Sequence, residues 1–454
     1  MDDRPSPADE PGIKSDARFD RNTVPPPPTD SFSRWLPLYR LIGFILVAFV
    51  LVDTLLTATR GTKGDLDVFV HAARVMLEGG NFYDIPNRLG IFYLYPPLFA
   101  FLCIPLTFIP IDLAIVLWGI STVALIGWSI LMFYKAMTGR SLFSLPPRTR
   151  WIIAGGSLLL VVRFIHTHLM LSQANVLILA ASIAVVFLSS RKQELPAGIL
   201  LGIAGMIKLF VYPLGVHFLA RKNRQVIAWS VVGLAVAVLI PSFVLGFDRN
   251  LLMHQDWVEK VILQRGPASD KWINTYNLSL QAQFFRFFAD IPSFHHGTSR
   301  YFFTIWKAPV EFVTALNWLA LLLVPVAVAV FAFKFRNLPA LLSTWGSIAF
   351  AFSLMPLSSP IAQEHHFVLL LPSCIYVMHL ITEHALPDWW FRGSVAAFFL
   401  LTQLTSPLIW GEFLSECFIA LGFVTFGALF LSVSIVRAAF VLKAGEPPAI
   451  RQTI

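Results

Sequence analysis

The side chains of this sequence that could move a proton or grip a phosphate are few and far apart. The first group stands in Gly64-Asp65-Leu66-Asp67-Val68-Phe69-Val70-His71-Ala72-Ala73-Arg74, followed by Gly79-Gly80-Asn81-Phe82-Tyr83-Asp84 and by Tyr93-Leu94-Tyr95-Pro96-Pro97-Leu98. A carboxylate can take the proton of an attacking hydroxyl, which makes Asp65 the first candidate base and Asp67 its nearest rival. Asp65 would equally well cap a helix starting near Leu66. Tyr83 and Tyr95 add hydroxyls and ring faces to the same stretch. Lys208 stands inside the apolar run from Ala197 to Tyr212, where an unpaired ammonium costs on the order of several kcal/mol. It needs an anionic partner or a wet cavity, unless it snorkels from a short helix end. His365 and His366 close the segment Ser358-Ser359-Pro360-Ile361-Ala362-Gln363-Glu364. A histidine there can donate to a leaving phosphate or be satisfied by water. The pair also raises a metal reading, but no carboxylate stands at ligand spacing, so no metal and no other cofactor is expected.

Two further segments carry polar groups of the right kind. Arg163, His166 and His168 precede Ser172-Gln173-Ala174-Asn175, and Asn277-Leu278-Ser279-Leu280 lies a hundred residues on. Arg163 suits a phosphate or a neighbouring acid. Asn277 suits a ligand or a helix N-terminus.

The elements that must hold these residues are set by composition. With 56% hydrophobic and 13% charged residues among 454, and a mean hydropathy of +0.70, the chain carries too much apolar surface for an ordinary soluble protein. It reads as an all-α integral membrane protein. The net charge of +8 does not point to nucleic acid, because the basic residues sit between apolar runs and form no patch on a soluble domain. Cys103, Cys374 and Cys417 lie in or beside apolar segments without ligand spacing and read as small hydrophobes.

The basic loops give the orientation. Residues 1–33, with Pro25-Pro26-Pro27-Pro28, read as a disordered cytoplasmic tail, and Leu41 to Ala58 as the first span. Leu113 to Phe133 is the next clear span, followed by Lys135, Arg140, Arg148 and Arg150 without an acid, as in a short cytoplasmic loop. Residues 59–110 therefore form a first external loop, within which Leu98 to Ile109 is too short to cross alone and reads as re-entrant or interfacial. Trp151 to Val162 leads outward and Asn175 to Leu188 returns. Between Pro196 and Ala220 both flanks are basic, so two short helices are expected to meet near Lys208 to Pro213, with Pro213 breaking the helix. Val226 to Leu245 goes out, and residues 246–311 form a second external loop. Phe312 to Phe333, Leu338 to Met355, Phe367 to Thr382, Ser394 to Leu408 and Cys417 to Val436 complete a single membrane domain over 34–443, ahead of a cytoplasmic tail at 444–454. The expected total is roughly 10–13 membrane helices.

The order of these motifs resembles the family 87 membrane glycosyltransferases of the GT-C type. That family's first external loop reads roughly Asp, hydrophobic residues, Ala-Ala-Arg, Gly-Gly, Tyr-Asp and Tyr-x-Pro-Pro-Leu, and Asp65 stands at the spacing of its base. Gly202 to Lys208 to Pro213 is similar to its Gly-x-x-x-x-x-Lys-x-x-Pro with a longer gap before the proline. Ser172-Gln173-Ala174-Asn175 is similar to Gly-Gln-x-Asn, with Ser172 for the glycine. Asn277-Leu278-Ser279-Leu280 is similar to Asn-Gln-Ser-Leu, with Leu278 for the glutamine. The segment ending at His365 is similar to Ser-Pro-x-Ser-Trp-x-His, with Ala362 and Gln363 in place of Ser and Trp.

The resemblance implies an inverting transfer of a hexose, usually mannose, from a polyprenyl-phosphate sugar to a glycolipid or glycan acceptor outside the cytoplasmic (inner) membrane. It implies Asp65 as catalytic base. Lys208, His365, His366 and Arg163 would handle the phosphate, with Tyr83, Tyr95, Gln173, Asn175, Asn277 and Asp67 as further substrate-binding residues. The competing class is a transporter or lipid flippase, which also uses intramembrane charge and broken helices. Such proteins carry repeat-related broken helices, and no second copy of the Lys208 to Pro213 break is evident.

Overall fold

The computed structural model describes residues 64–265, 276–384, 386 and 388–444, together with 52 and 56. The tail expected at 1–33, that expected at 444–454 apart from Ala444, and nearly all of the span expected at Leu41 to Ala58 lie outside the described residues. What is described belongs to one compact unit, Ala48–Ile454, and is overwhelmingly helical. Among the described residues five helices are long and apolar enough to cross a membrane: Ile111–Thr138, Arg224–Leu245, Val310–Lys334, Glu364–Glu383 and Phe423–Lys443. Two bent pairs, Pro147–Leu159 with Val162–Met170 (55°) and Trp389–Gln403 with Pro407–Ala420 (89°), raise the number to seven if each is one span. Shorter apolar helices cover Asn175–Ser190, Glu194–Ile207, Leu209–Ala220 and Leu341–Leu354. The chain is an all-α multi-pass membrane protein. Glu364–Glu383 is the most enclosed of the long helices, and it carries His365 and His366 at its start.

Where the apolar runs are interrupted, the interruptions have local causes. The 97–109 stretch forms a short helix, Pro97–Leu102, and a 3-10 turn, Ile104–Phe108. Pro97 fits the first helical position, where its missing N–H is no loss, and Pro105 begins the next turn in the same way. The two short helices expected before and after Lys208 are present, but the break is at Lys208 and not at Pro213. Glu194–Ile207 ends where Lys208 takes an extended conformation (φ −145°, ψ 125°), and Pro213 occupies the first turn of Tyr212–Ala220. Proline there starts a helix instead of interrupting one. The last expected pair also divides differently: Trp389–Gln403 ends early, and Cys417 lies in the helix Pro407–Ala420, ahead of Phe423–Ala444. Pro407 opens that helix, and Gly422 turns out of it at φ 81°.

The 246–311 segment, expected as a second external loop, is itself folded. It contains Phe247–Asp256, a π-helical turn Trp257–Ile262, the helix Leu280–Phe288 capped by Ser279, and a hairpin pairing Phe294–His296 with Ser299–Tyr301. An ionic cluster ties it to the first loop. Lys260 Nζ reaches Asp84 at 2.7 Å and Asp256 at 3.2 Å, and Asn81 Nδ2 donates to Asp84 at 2.9 Å and to Asp256 at 2.5 Å.

The helix that ends at Lys208 is positioned by backbone contact. A Cβ on Gly202 would meet Ser230 O at 2.1 Å, one on Gly198 would meet Val226 O at 2.5 Å, and one on Gly233 would meet Ile199 O at 2.2 Å. Glycines four apart on one helix thus let Glu194–Ile207 and Arg224–Leu239 touch along their main chains, which is how membrane helices associate without a hydrophobic driving force.

Candidate active site

A cavity of about 550 Å³ opens beside the Lys208 break. Its wall combines Asp65, Tyr95, Gln173, Lys208, Asn277, His365 and His366 with an apolar side made by Leu209, Trp257, Val261, Ile262, Trp318 and Leu321. A space of this size with a few convergent polar groups on an apolar wall is the usual form of a small-molecule site.

Asp65 lies in the first turn of Gly64–Leu77, outside the membrane-spanning segments. Gly64 is at φ +64°, and a Cβ there would stand 2.7 Å from Leu171 O, so the chain approaches the 171–173 turn closely enough for Asp65 N to donate to Leu171 O at 2.8 Å. Gln173 Nε2 donates to Asp65 Oδ2. The other carboxylate oxygen makes no hydrogen bond among the described residues. Burial pushes the Asp65 carboxyl up to about 6, with the positive charge of Lys208 pulling the other way. It is therefore far more basic than a surface aspartate.

Lys208 faces the same space. Its Nζ donates to Asn175 Oδ1 at 2.5 Å, lies 3.1 Å from His366 Nε2, and stands 4.9 Å from the centroid of the Tyr95 ring and 5.3 Å from that of Phe210. The extended backbone at Lys208 is what aims the stem into the cavity instead of along a helix face. His366 Nδ1 accepts from Gln363 N at 2.8 Å, which anchors the ring to the start of the Glu364–Leu370 turn. His365 packs against it with ring centroids 4.3 Å apart, and its Nδ1 has no hydrogen-bond partner among the described residues. That nitrogen is a buried polar atom beside a cavity, and such atoms ordinarily find a partner in water or ligand.

Of the remaining candidates, all but Asn277 are held around this wall, not on it. Asp67 accepts from Asn87 Nδ2 at 3.0 Å and lies 3.6 Å from Arg88 Nε. Tyr83 donates its hydroxyl to Tyr95 O at 2.8 Å, inside a ring cluster with Phe82 and Tyr93. Asn175 Nδ2 donates to His365 O at 3.2 Å while its oxygen holds Lys208. Arg163 is bound away from the cavity: it pairs with Glu364 and donates to Thr402 O and Thr405 Oγ1, each at 3.0 Å. Asn277 does line the cavity, where its oxygen accepts from Ser279 N at 3.0 Å and Ala362 N at 3.1 Å and its amide donates to Pro360 O at 3.2 Å. It clamps the turn ahead of His365. Ser172 is at φ 48°, the left-handed region that favours glycine.

Sequence reasoning missed several residues. Gln363, which the motif comparison recorded only as a departure, lines the cavity and anchors His366. Glu364 receives Arg163 and Thr167. Trp257 and Trp318 form much of the apolar wall, and isolated tryptophans give no signal that separates a cavity wall from an interfacial belt. Among the described residues no group of three or more His, Cys, Asp or Glu is placed to hold a metal ion.

The sequence profile of glycosyltransferase family 87 matches residues 93–362, more than half of the chain. The match begins at Tyr93 and ends at Ala362, so Lys208, Gln173 and Asn277 lie within it, while His365 and His366 lie just past its end and Asp65 lies 28 residues before its start. No curated protein and no solved structure matches the chain.

Proposed function

Because the chain belongs to glycosyltransferase family 87 and is a membrane glycosyltransferase, we propose that it moves a hexose, mannose on the family resemblance, from a polyprenyl-phosphate donor to a glycolipid or glycan acceptor. The observation that carries this reading is the placement of one carboxylate, Asp65, and one ammonium, Lys208, on the wall of one largely apolar cavity. In this mechanism the donor phosphate lies against Lys208 and the histidines, and the acceptor hydroxyl lies against Asp65. The hydroxyl oxygen forms its bond to the anomeric carbon as its proton passes to the Asp65 carboxylate. The bond from that carbon to the phosphate oxygen breaks with its electron pair, and the new negative charge is met by Lys208 and His366. Asp65 is the one carboxylate among the described lining residues, and a single base suits one displacement with inversion. The apolar wall suits the polyprenyl chain, whose burial is worth about 0.8 kcal/mol per CH₂.

The site would face the outside of the inner membrane. The four basic residues between Lys135 and Arg150, with no acid among them, support a cytoplasmic position for that loop and hence an external one for Asp65.

The test is transfer of labelled mannose from a polyprenyl-phosphate donor in membranes, with donor binding measured on the same variants. Asp65→Asn keeps the size and loses the basicity, so turnover should fall about 10²- to 10⁴-fold with donor binding retained. Asp67→Asn should lose clearly less. Parental turnover in Asp65→Asn would remove Asp65 as the base.

A further inference from the structure

We propose that Gln173 is the positioning residue of the candidate base, and that the hydroxyl of Tyr95 sets which end of the Gln173 amide meets Asp65. The inference rests on the reading of Asp65 as base and concerns how that carboxylate is aimed.

Gln173 is 3% exposed and sits between two groups that constrain it from opposite sides. Its Oε1 accepts from the Tyr95 hydroxyl at 3.1 Å, and its Nε2 donates to Asp65 Oδ2. A glutamine amide has one accepting and one donating end, so these two contacts are not independent. As long as Tyr95 presents a hydrogen, the oxygen turns to Tyr95 and the N–H turns to the carboxylate. Reversing the amide would set its oxygen against the Asp65 carboxylate. The tyrosine can hold this role because burial first, and the charge of Asp65 second, keep its hydroxyl protonated well above its ordinary range.

The root of the glutamine is fixed as well. Its carbonyl accepts from Trp118 Nε1 at 2.9 Å, and its N–H donates to His168 O at 3.2 Å. Asp65 N is bonded to Leu171 O, two residues before Gln173, so base and positioning residue are joined at one turn. One carboxylate oxygen is then held by the amide, and the other makes no hydrogen bond among the described residues. Tyr95 has a second contact there, its ring face toward the Lys208 ammonium, so one side chain touches both halves of the proposed chemistry.

The charged and titratable groups that share the cavity wall with Asp65 are Lys208 from the helix break, Tyr95 from the first loop, Tyr212 from the start of Tyr212–Ala220, and His365 and His366 from the Glu364–Leu370 turn, with His168 behind them in the field of Lys208. A hydrogen bond donated to the ionised carboxylate favours that form, so its loss moves the protonation of Asp65 to higher pH. The experiment reads this directly. The detergent-solubilised full chain is treated with a carbodiimide, which reacts with protonated carboxyls, at a series of pH values, and modification of Asp65 is quantified by mass spectrometry. Gln173→Leu should raise the midpoint by about one pH unit, and Tyr95→Phe should raise it by less in the same direction. In the transfer assay the acid limb of kcat/KM should move with it. Tyr95→Phe removes one oxygen and keeps the ring against Lys208, so it carries the test if Gln173→Leu does not fold. Midpoints equal to the parent in both variants would overturn the proposal. A shifted midpoint together with full activity of Asp65→Asn would leave the positioning in place and remove the base.

Discussion

Gly202→Ala tests whether the backbone contact beneath Lys208 governs the site. The added methyl would stand 2.1 Å from Ser230 O and 2.5 Å from Leu234 N, against the 3.0 Å below which Cβ contacts essentially never occur. Both neighbours are main chain, so no rotamer relieves the clash and the helices must separate locally by about 1 Å. Overpacking of this kind costs about 1–3 kcal/mol. The shifted helix is the one that ends at Lys208, and a displacement of about 1 Å in a reacting constellation can lower the rate by on the order of 10². Gly205→Ala is the control, because on the same helix its Cβ would meet nothing within 4 Å. Thermal unfolding in detergent and mannose transfer are measured on both. Gly202→Ala should unfold a few degrees below the parent and transfer more slowly, and Gly205→Ala should match the parent. Equal stability and equal rates for the two variants would refute the argument that close helix packing sets the position of Lys208.

Three further outcomes are expected. Lys208→Met keeps the apolar stem and deletes the charge, so the donor dissociation constant should rise. Since Lys208 pulls the Asp65 carboxyl down from where burial would leave it, the same variant should move the acid limb of activity from near pH 6 to higher pH, which a pH series checks. Ser172→Gly should be at least as stable as the parent, because φ 48° costs a serine about 1 kcal/mol, while Ser172→Val should be less stable by denaturant or thermal titration. Arg163→Ala should destabilise by about 1–3 kcal/mol, since the half-buried Glu364 keeps Thr167 but loses its cation, and adding Glu364→Ala should recover part of that loss in a double-mutant cycle.

The sequence made most of the architecture legible, because a membrane protein writes its spans as apolar runs and its loops as charges. Lys208 announced both a break and a site by its type alone, since an ammonium in an apolar run needs a reason. The residue responsible for the break was less legible. Pro213 is the stronger local signal, yet it fits a helix start as well as a helix end, and the extended turn at Lys208 depends on Asn175 and His366, which are distant in sequence. Arg163 was open to two readings for the same reason: its partner, Glu364, is 201 positions away. Gln173 could be marked as a polar residue near an expected external helix end, but its two-sided hold on Tyr95 and Asp65 exists only once the 171–173 turn meets the 59–110 segment.

The partners of Lys208 also have an order in time. Chains are made from the N-terminus, and early segments fold or insert before later ones exist. Tyr95 and Asn175 both precede Lys208, so when the Glu194–Ile207 helix enters the bilayer its terminal ammonium can already meet a carbonyl oxygen and a ring face. His366 follows 158 positions later and completes the arrangement. The order of synthesis thus lets neighbours meet that ammonium early, while the cavity wall is complete only once synthesis has passed His366.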